Sequence, residues 1–240
     1  MTVQRIREAT SHPPSANKPT ALVPGVWRAS ETAVLSTPTV ATGHPVISEW
    51  LPGRGWPLGA LIEILYDAPG SGEMSLIAPA LAALPNQGPI VLLQPPLVPN
   101  ALAWQGWQVD TKRLWWVQPR ELRDTWWCAE QLLKSGSCAA LLCWADPISS
   151  SSLRRLHGCA QAANTLFFMF RPASTIQTFS PASLRVRVGT QTGGGCYAEL
   201  LKSRGPKPHG AVIWQRTAAN AFSQVSQTHE TLDSTTFNVS

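Results

Sequence analysis

The stretch "EILYDAPGSGEMSLIAPAL", Glu63–Leu81, decides the fold. It reads as a hydrophobic strand, a Gly-rich turn and an amphipathic helix. A phosphate-binding loop occupies that place in the form G-x-x-x-x-G-K-[ST]. Its glycines let backbone N–H groups curl around phosphate oxygens, its lysine meets the terminal phosphates, and its hydroxyl holds magnesium. With Gly72 as the second glycine, Asp67 stands at the first, Glu73 at the lysine and Met74 at the hydroxyl. Three of the four defining positions fail, and two of them now carry negative charge. A carboxylate at the lysine position faces a triphosphate with the wrong sign, a repulsion on the order of several kcal/mol in a poorly solvated loop. Gly70 and Gly72 preserve the loop shape, and a plain βα turn accounts for the same residues.

Outward from this unit the chain alternates. "PIVLLQ", "RLWWVQP", "CAALLCWA" and "TLFFMFRP" read as strands. "RDTWWCAEQLLKSG" reads as a helix ending at Gly136, and "SSSLRRLHGCAQAAN" as a helix with a serine cap. Near-continuous apolar strands separated by helices predict a mostly parallel sheet covered on both faces. "SLRVRVG", "CYAELLKSR" and "GAVIWQR" are consecutive and predict closing antiparallel strands. The fold class is therefore α/β, with one domain over residues 43–216. Residues 1–42 are rich in Pro, Ser, Thr and Ala and read as a flexible arm, with Trp27 in "PGVWRASE" as its anchor. Residues 217–240 are polar and read as a disordered tail.

Hydrophobic residues make up 44% of the 240, enough for a sizeable core, while charged residues are only 14%. Such a weakly charged surface, with eleven Trp, points to a face that meets a partner. Trp115 and Trp116 on a strand and Trp126 and Trp127 on the next helix cannot all face inward, unless both sheet faces are covered. The net charge of +5 allows nucleic acid without requiring it. Five cysteines form no CxxC pair; Cys138 and Cys143 sit in an apolar run and read as buried, reduced thiols, which suits the cytoplasm. No secretory signal and no membrane-length apolar run is present, and scattered histidines give no metal-ligand spacing, so no membrane and no cofactor is expected. The serines near His157 read as a helix cap rather than a nucleophile.

"TGHPVISEWLPGRGWPLGALIEILYDAPGSGE" resembles the entry to the RecA core, through Thr42, Gly43, Leu51, Gly53, Gly55, Pro57, Gly59 and Glu63. "ALAWQGWQVDTKRLWWVQP" resembles the helix, turn and strand that follow there, and "CAEQLLKSGSCAALLCWAD" the helix and Walker B strand. "YAELLKSRGPKPHGAVIWQ" resembles the closing hairpin. The Walker B aspartate falls on Trp144. "GVWRASE" and "LPGRGWPLGALIEIL" followed by "DAPGSGE" look like the ImuA branch of this superfamily, often described as SulA-like. The resemblance implies a RecA-like core with a degenerate nucleotide site. It implies a non-catalytic adaptor in SOS-induced translesion DNA synthesis that binds ImuB, RecA or both. A SulA-like inhibitor of the tubulin-like FtsZ is the alternative, and an ATP-dependent recombinase the third class.

Two DNA loops of RecA correspond here to the short "ADPISSSSLRRLHG" and "RPASTIQTFSPAS". Arg154, Arg155, Arg171, Arg185, Arg187, Lys202, Arg204 and Lys207 on that side are read as a basic face for a partner or for weak, sequence-independent single-stranded DNA. Reversing Arg154, Arg155, Arg185 and Arg187 to Glu is expected to spare the fold.

Overall fold

The structure, a computed structural model, describes residues 38–85, 88–191, 194–204 and 210–215. Its centre is strand β3, Ala60–Tyr66, the strand that leads into the Gly-rich turn. Parallel to it lie β7, Leu166–Pro172, and β8, Leu184–Thr190. Strands β4 (Ile90–Leu93), β5 (Leu114–Val117) and β6 (Ala140–Trp144) extend the parallel sheet on the β7 side. Strands β9, Gly195–Lys202, and β10, Val212–Gln215, close the β8 side as antiparallel neighbours. The sheet order is β10-β9-β8-β3-β7-β6-β4-β5. The predicted mixed α/β class, with a mostly parallel sheet and antiparallel closing strands, is the one observed.

The central strands are mostly apolar because both faces are covered, with Glu63 of β3 and Arg171 of β7 as buried exceptions. Ile62, Leu92, Leu142 and Phe168 face one core, shared with Ile47 and Trp50 of α1 (Pro45–Trp50) and Leu76, Ile77 and Leu81 of α2 (Glu73–Ala82). Leu61, Val91, Leu141 and Phe167 face the other, shared with Leu133 of α4 (Leu122–Ser135) and Leu153 and Leu156 of α5 (Ser150–Ala162). Between β4 and β5 runs the short α3, Ala101–Gly106, whose Trp104 enters the first core. Gly136 takes a positive φ of 59° at the end of α4, and Ser149 caps α5 by accepting from the Ser152 N–H, both as the sequence predicts.

Helix α2 differs from its expectation. It is buried almost all round rather than amphipathic, because it lies beneath the sheet's closing strands and α1. Pro79 within it lacks the N–H that would bond the Ser75 carbonyl one turn earlier. His44 Nε2 lies 3.0 Å from that carbonyl and supplies the missing donor.

The folded unit also begins earlier than expected. Strand β1, Thr39–Val40, which falls in the stretch read as an arm, pairs with β2, Trp56–Pro57, in a small antiparallel sheet. Cys138 and Cys143 are buried free thiols. Among the described residues no helix is long and apolar enough to cross a membrane. The arm anchor Trp27, Lys207 and the tail lie outside the described residues.

Candidate functional site

Three turns follow the carboxyl ends of parallel strands: residues 67–72 after β3, 94–100 after β4 and 145–149 after β6. Open α/β sheets bind ligands at this edge. The Gly-rich turn keeps two left-handed glycines, Gly70 at φ +88° and Gly72 at φ +102°. Any side chain at Gly72 would also collide with Cys196.

Glu73 opens α2 and folds back into the turn. Its Oε1 accepts the Gly70 N–H at 2.7 Å, and the residue is 4% exposed. An amide that a phosphate loop would turn toward its anion here meets the chain's own carboxylate. The N-terminal end of a helix favours such a negative group. Glu73 Oε2 is buried and has no hydrogen-bond partner among the described residues. Behind the turn, Ser75 Oγ donates to the Gly72 carbonyl at 2.8 Å and accepts from Trp214 Nε1 at 3.2 Å. Asp67 is exposed and meets Arg187 at 3.5 Å, a surface pair of little weight.

Trp144 stands where the resemblance to RecA leads one to expect a magnesium carboxylate. Its indole stacks on Phe170 with ring centres 4.3 Å apart and planes 8° from parallel. It forms one wall of a cavity of about 340 Å³ beside the turn. Met74, half-buried, forms another. Leu92, Trp104 and Trp107 add apolar surface, and among the described residues Glu73 is the one charged residue in the lining. Trp104 and Trp107 pack edge to face at 5.6 Å.

The structure breaks up the basic face. Arg171 and Arg185 are 4% and 7% exposed, so neither belongs to a surface. The parallel register of β7, β3 and β8 sets Glu63 beside Arg185 and within reach of Arg171. Arg185 Nε donates to Glu63 Oε2 at 2.6 Å, and Arg171 Nη1 to Glu63 Oε1 at 3.2 Å. Arg171 Nε also donates to Asp146 Oδ1 at 2.9 Å. A fully buried carboxylate needs such partners. The remaining donors of Arg185 reach the carbonyls of Thr175, Ile176 and Thr178, and Lys202 Nζ reaches that of Ser180 at 2.7 Å. These cations therefore fasten the segment after β7 onto the sheet. Burial, with Arg185 nearby, holds the Lys202 ammonium below the usual lysine range.

Arg187 is half-buried. Arg154, Arg155 and Arg204 stay exposed, each with a neighbour. Arg154 lies over the Phe179 ring at 5.2 Å, Arg155 pairs with Glu130 at 2.8 Å, and Arg204 lies 3.5 Å from His157 Nε2. Burial, then Arg204 and Lys202, hold the His157 imidazole below its ordinary range.

The tryptophans divide: Trp50, Trp56, Trp104, Trp144 and Trp214 lie in the core, while three others stay outside it. Trp115 is 56% exposed, Trp116 48% and Trp127 63%. Among the described residues strand β5 is the last strand of the sheet, so Trp115 and Trp116 project to its two faces from an edge with one strand neighbour. The signal sequence reading missed is Glu63. A single acid in the middle of "ALIEILY" demands buried partners, and only the strand order reveals which. Neither a comparison with protein-family models nor one with curated proteins finds a match for this chain.

Proposed function

We propose that this chain is a non-catalytic adaptor of the ImuA type, working in the cytoplasm in SOS-induced translesion DNA synthesis and docking ImuB, RecA or both. The single observation that carries the reading is the bond from the Gly70 N–H to Glu73 Oε1. It leaves a phosphate loop in shape while its own carboxylate takes the place of the anion. Trp144 on Phe170 supports the same reading, since an indole cannot hold magnesium. The elements implied by the RecA resemblance also occur in the expected order: loop helix, a strand followed by Gln118 and Pro119, and closing antiparallel strands.

Edge strand β5 supports the docking role. Among the described residues it has a strand neighbour on one side only, and it carries two exposed indoles, with Trp127 of α4 exposed as well. Exposed sheet edges accept an added strand, and tryptophan is enriched at the energetic centres of interfaces. The test is co-precipitation of the full chain with ImuB, RecA and FtsZ. Capture of ImuB or RecA is expected. Capture of FtsZ alone would replace this reading with a division inhibitor.

A further inference from the structure

The cavity beside the turn is built for something other than phosphate. Its volume of about 340 Å³ is that of a small-ligand site. Its walls are the indoles of Trp104, Trp107 and Trp144 with Leu92 and Met74, and among the described residues its lining contains no lysine or arginine. The charge it does contain is Glu73, whose two oxygens differ. Oε1 is satisfied by Gly70 at 2.7 Å, while Oε2 is buried without a donor among the described residues. Native proteins rarely leave a buried carboxylate oxygen unpaired. Glu73 lines this cavity, so a donor that enters it and shifts the lining enough to reach Oε2 would complete that atom.

We propose that the cavity binds an organic cation: an ammonium or guanidinium group carried on an apolar or aromatic body. The N–H groups bond Glu73 Oε2, and the body lies against the indoles, which also attract a cation through their faces. The inference rests on the reading that the loop has left nucleotide chemistry, and it names what took over the space. Two sources share this chemistry, a free amine and a basic side chain of a peptide.

The test uses the full chain and ligand-observed NMR titrations with tryptamine, neutral 3-ethylindole and anionic indole-3-propionate. Tryptamine is expected to bind about tenfold more tightly than 3-ethylindole, because a hydrogen bond to a charged group is worth at least that factor. Indole-3-propionate is expected to be the weakest. Glu73→Gln keeps the acceptor for Gly70 and removes the charge, so tryptamine should fall to the level of 3-ethylindole, whose affinity stays. Ala103→Trp fills the cavity from α3 and should abolish both. A parallel titration with N-acetyl-Trp-Arg-amide assigns the source: tighter binding than tryptamine means a peptide, weaker means a free amine. Equal binding of the three indoles, binding of none, or an unchanged tryptamine affinity in Glu73→Gln overturns the site. Magnesium–ATP added to the bound state separates the two levels. ATP that displaces tryptamine defeats the functional reading, whereas a chain that ignores both ATP and tryptamine defeats the cavity assignment alone.

Discussion

Arg185 Nε donates to Glu63 Oε2 at 2.6 Å inside the sheet, and Arg171 closes on the other oxygen of the same carboxylate. Two guanidiniums and the carboxylates of Glu63 and Asp146 balance in charge across β7, β3 and β8. Removing one partner of such a group strands the others without water.

Glu63→Gln is therefore expected to destabilise the fold by about 3–5 kcal/mol. Urea unfolding followed by circular dichroism measures it. Arg185→Glu is expected not to fold at all, since it sets a second carboxylate against Glu63 at 7% exposure. That replaces the expectation, drawn from sequence, that reversing Arg185 leaves the fold intact. A stability change below about 1 kcal/mol in Glu63→Gln would mean the network is ornamental.

The exposed indoles give the opposite profile. Changing Trp115, Trp116 and Trp127 together to Ser is expected to leave the unfolding midpoint close to native, because all three are largely exposed. Partner affinity should fall at least about 30-fold if they form the centre of the interface. Thermal melts and binding to immobilised partner, run on the same preparation, check both halves. Unchanged affinity would move the interface elsewhere on the molecule.

DNA binding should be weak, sequence-independent and sensitive to salt. Among the described residues, the exposed cations left from the expected face are Arg154, Arg155 and Arg204. Three phosphate contacts to a single strand give a slope of log affinity on log salt of about −2. Reversing those three to Glu should abolish binding with the fold intact. A much steeper slope in a labelled single-strand titration would reveal a larger basic surface.

His157 sets a pH dependence. Its folded imidazole titrates below the ordinary range, held there by burial first and then by Arg204 and Lys202. As pH falls, the unfolded chain takes up the proton before the folded chain does. Its contribution is thus complete above the unfolded value of about 6.5 and is lost as pH falls through the lower folded value. Thermal midpoints should decline with acidification across that window, and His157→Gln should decline less. Identical slopes in both proteins would contradict the assignment.

The sheet was legible because buried parallel strands are written as continuous apolar runs. "ALIEILY" is β3 to the residue. Gly136 and Ser149 marked helix ends by local chemistry alone. The basic face was not legible, because its reading needed a partner far away. "SLRVRVG" alternates like a strand with one solvated side, yet the acid that buries Arg185 lies 122 residues earlier. For the tryptophans the sequence left core and surface open, because nothing in "RLWWVQP" says that β5 ends the sheet. The short strand Thr39–Val40 escaped notice because two residues carry no periodicity. For the loop, sequence showed that Glu73 replaces a lysine, but only the geometry shows that its carboxylate turns back onto Gly70.

The most direct test of the central claim is magnesium-dependent ATP turnover by the full-length chain, with and without single-stranded DNA. With Glu73 turned onto Gly70, and Trp144 where the resemblance expects a magnesium carboxylate, turnover is expected at the level of a buffer blank in both conditions. Turnover well above the blank, abolished by substitutions at Glu73 or Gly72, would contradict it.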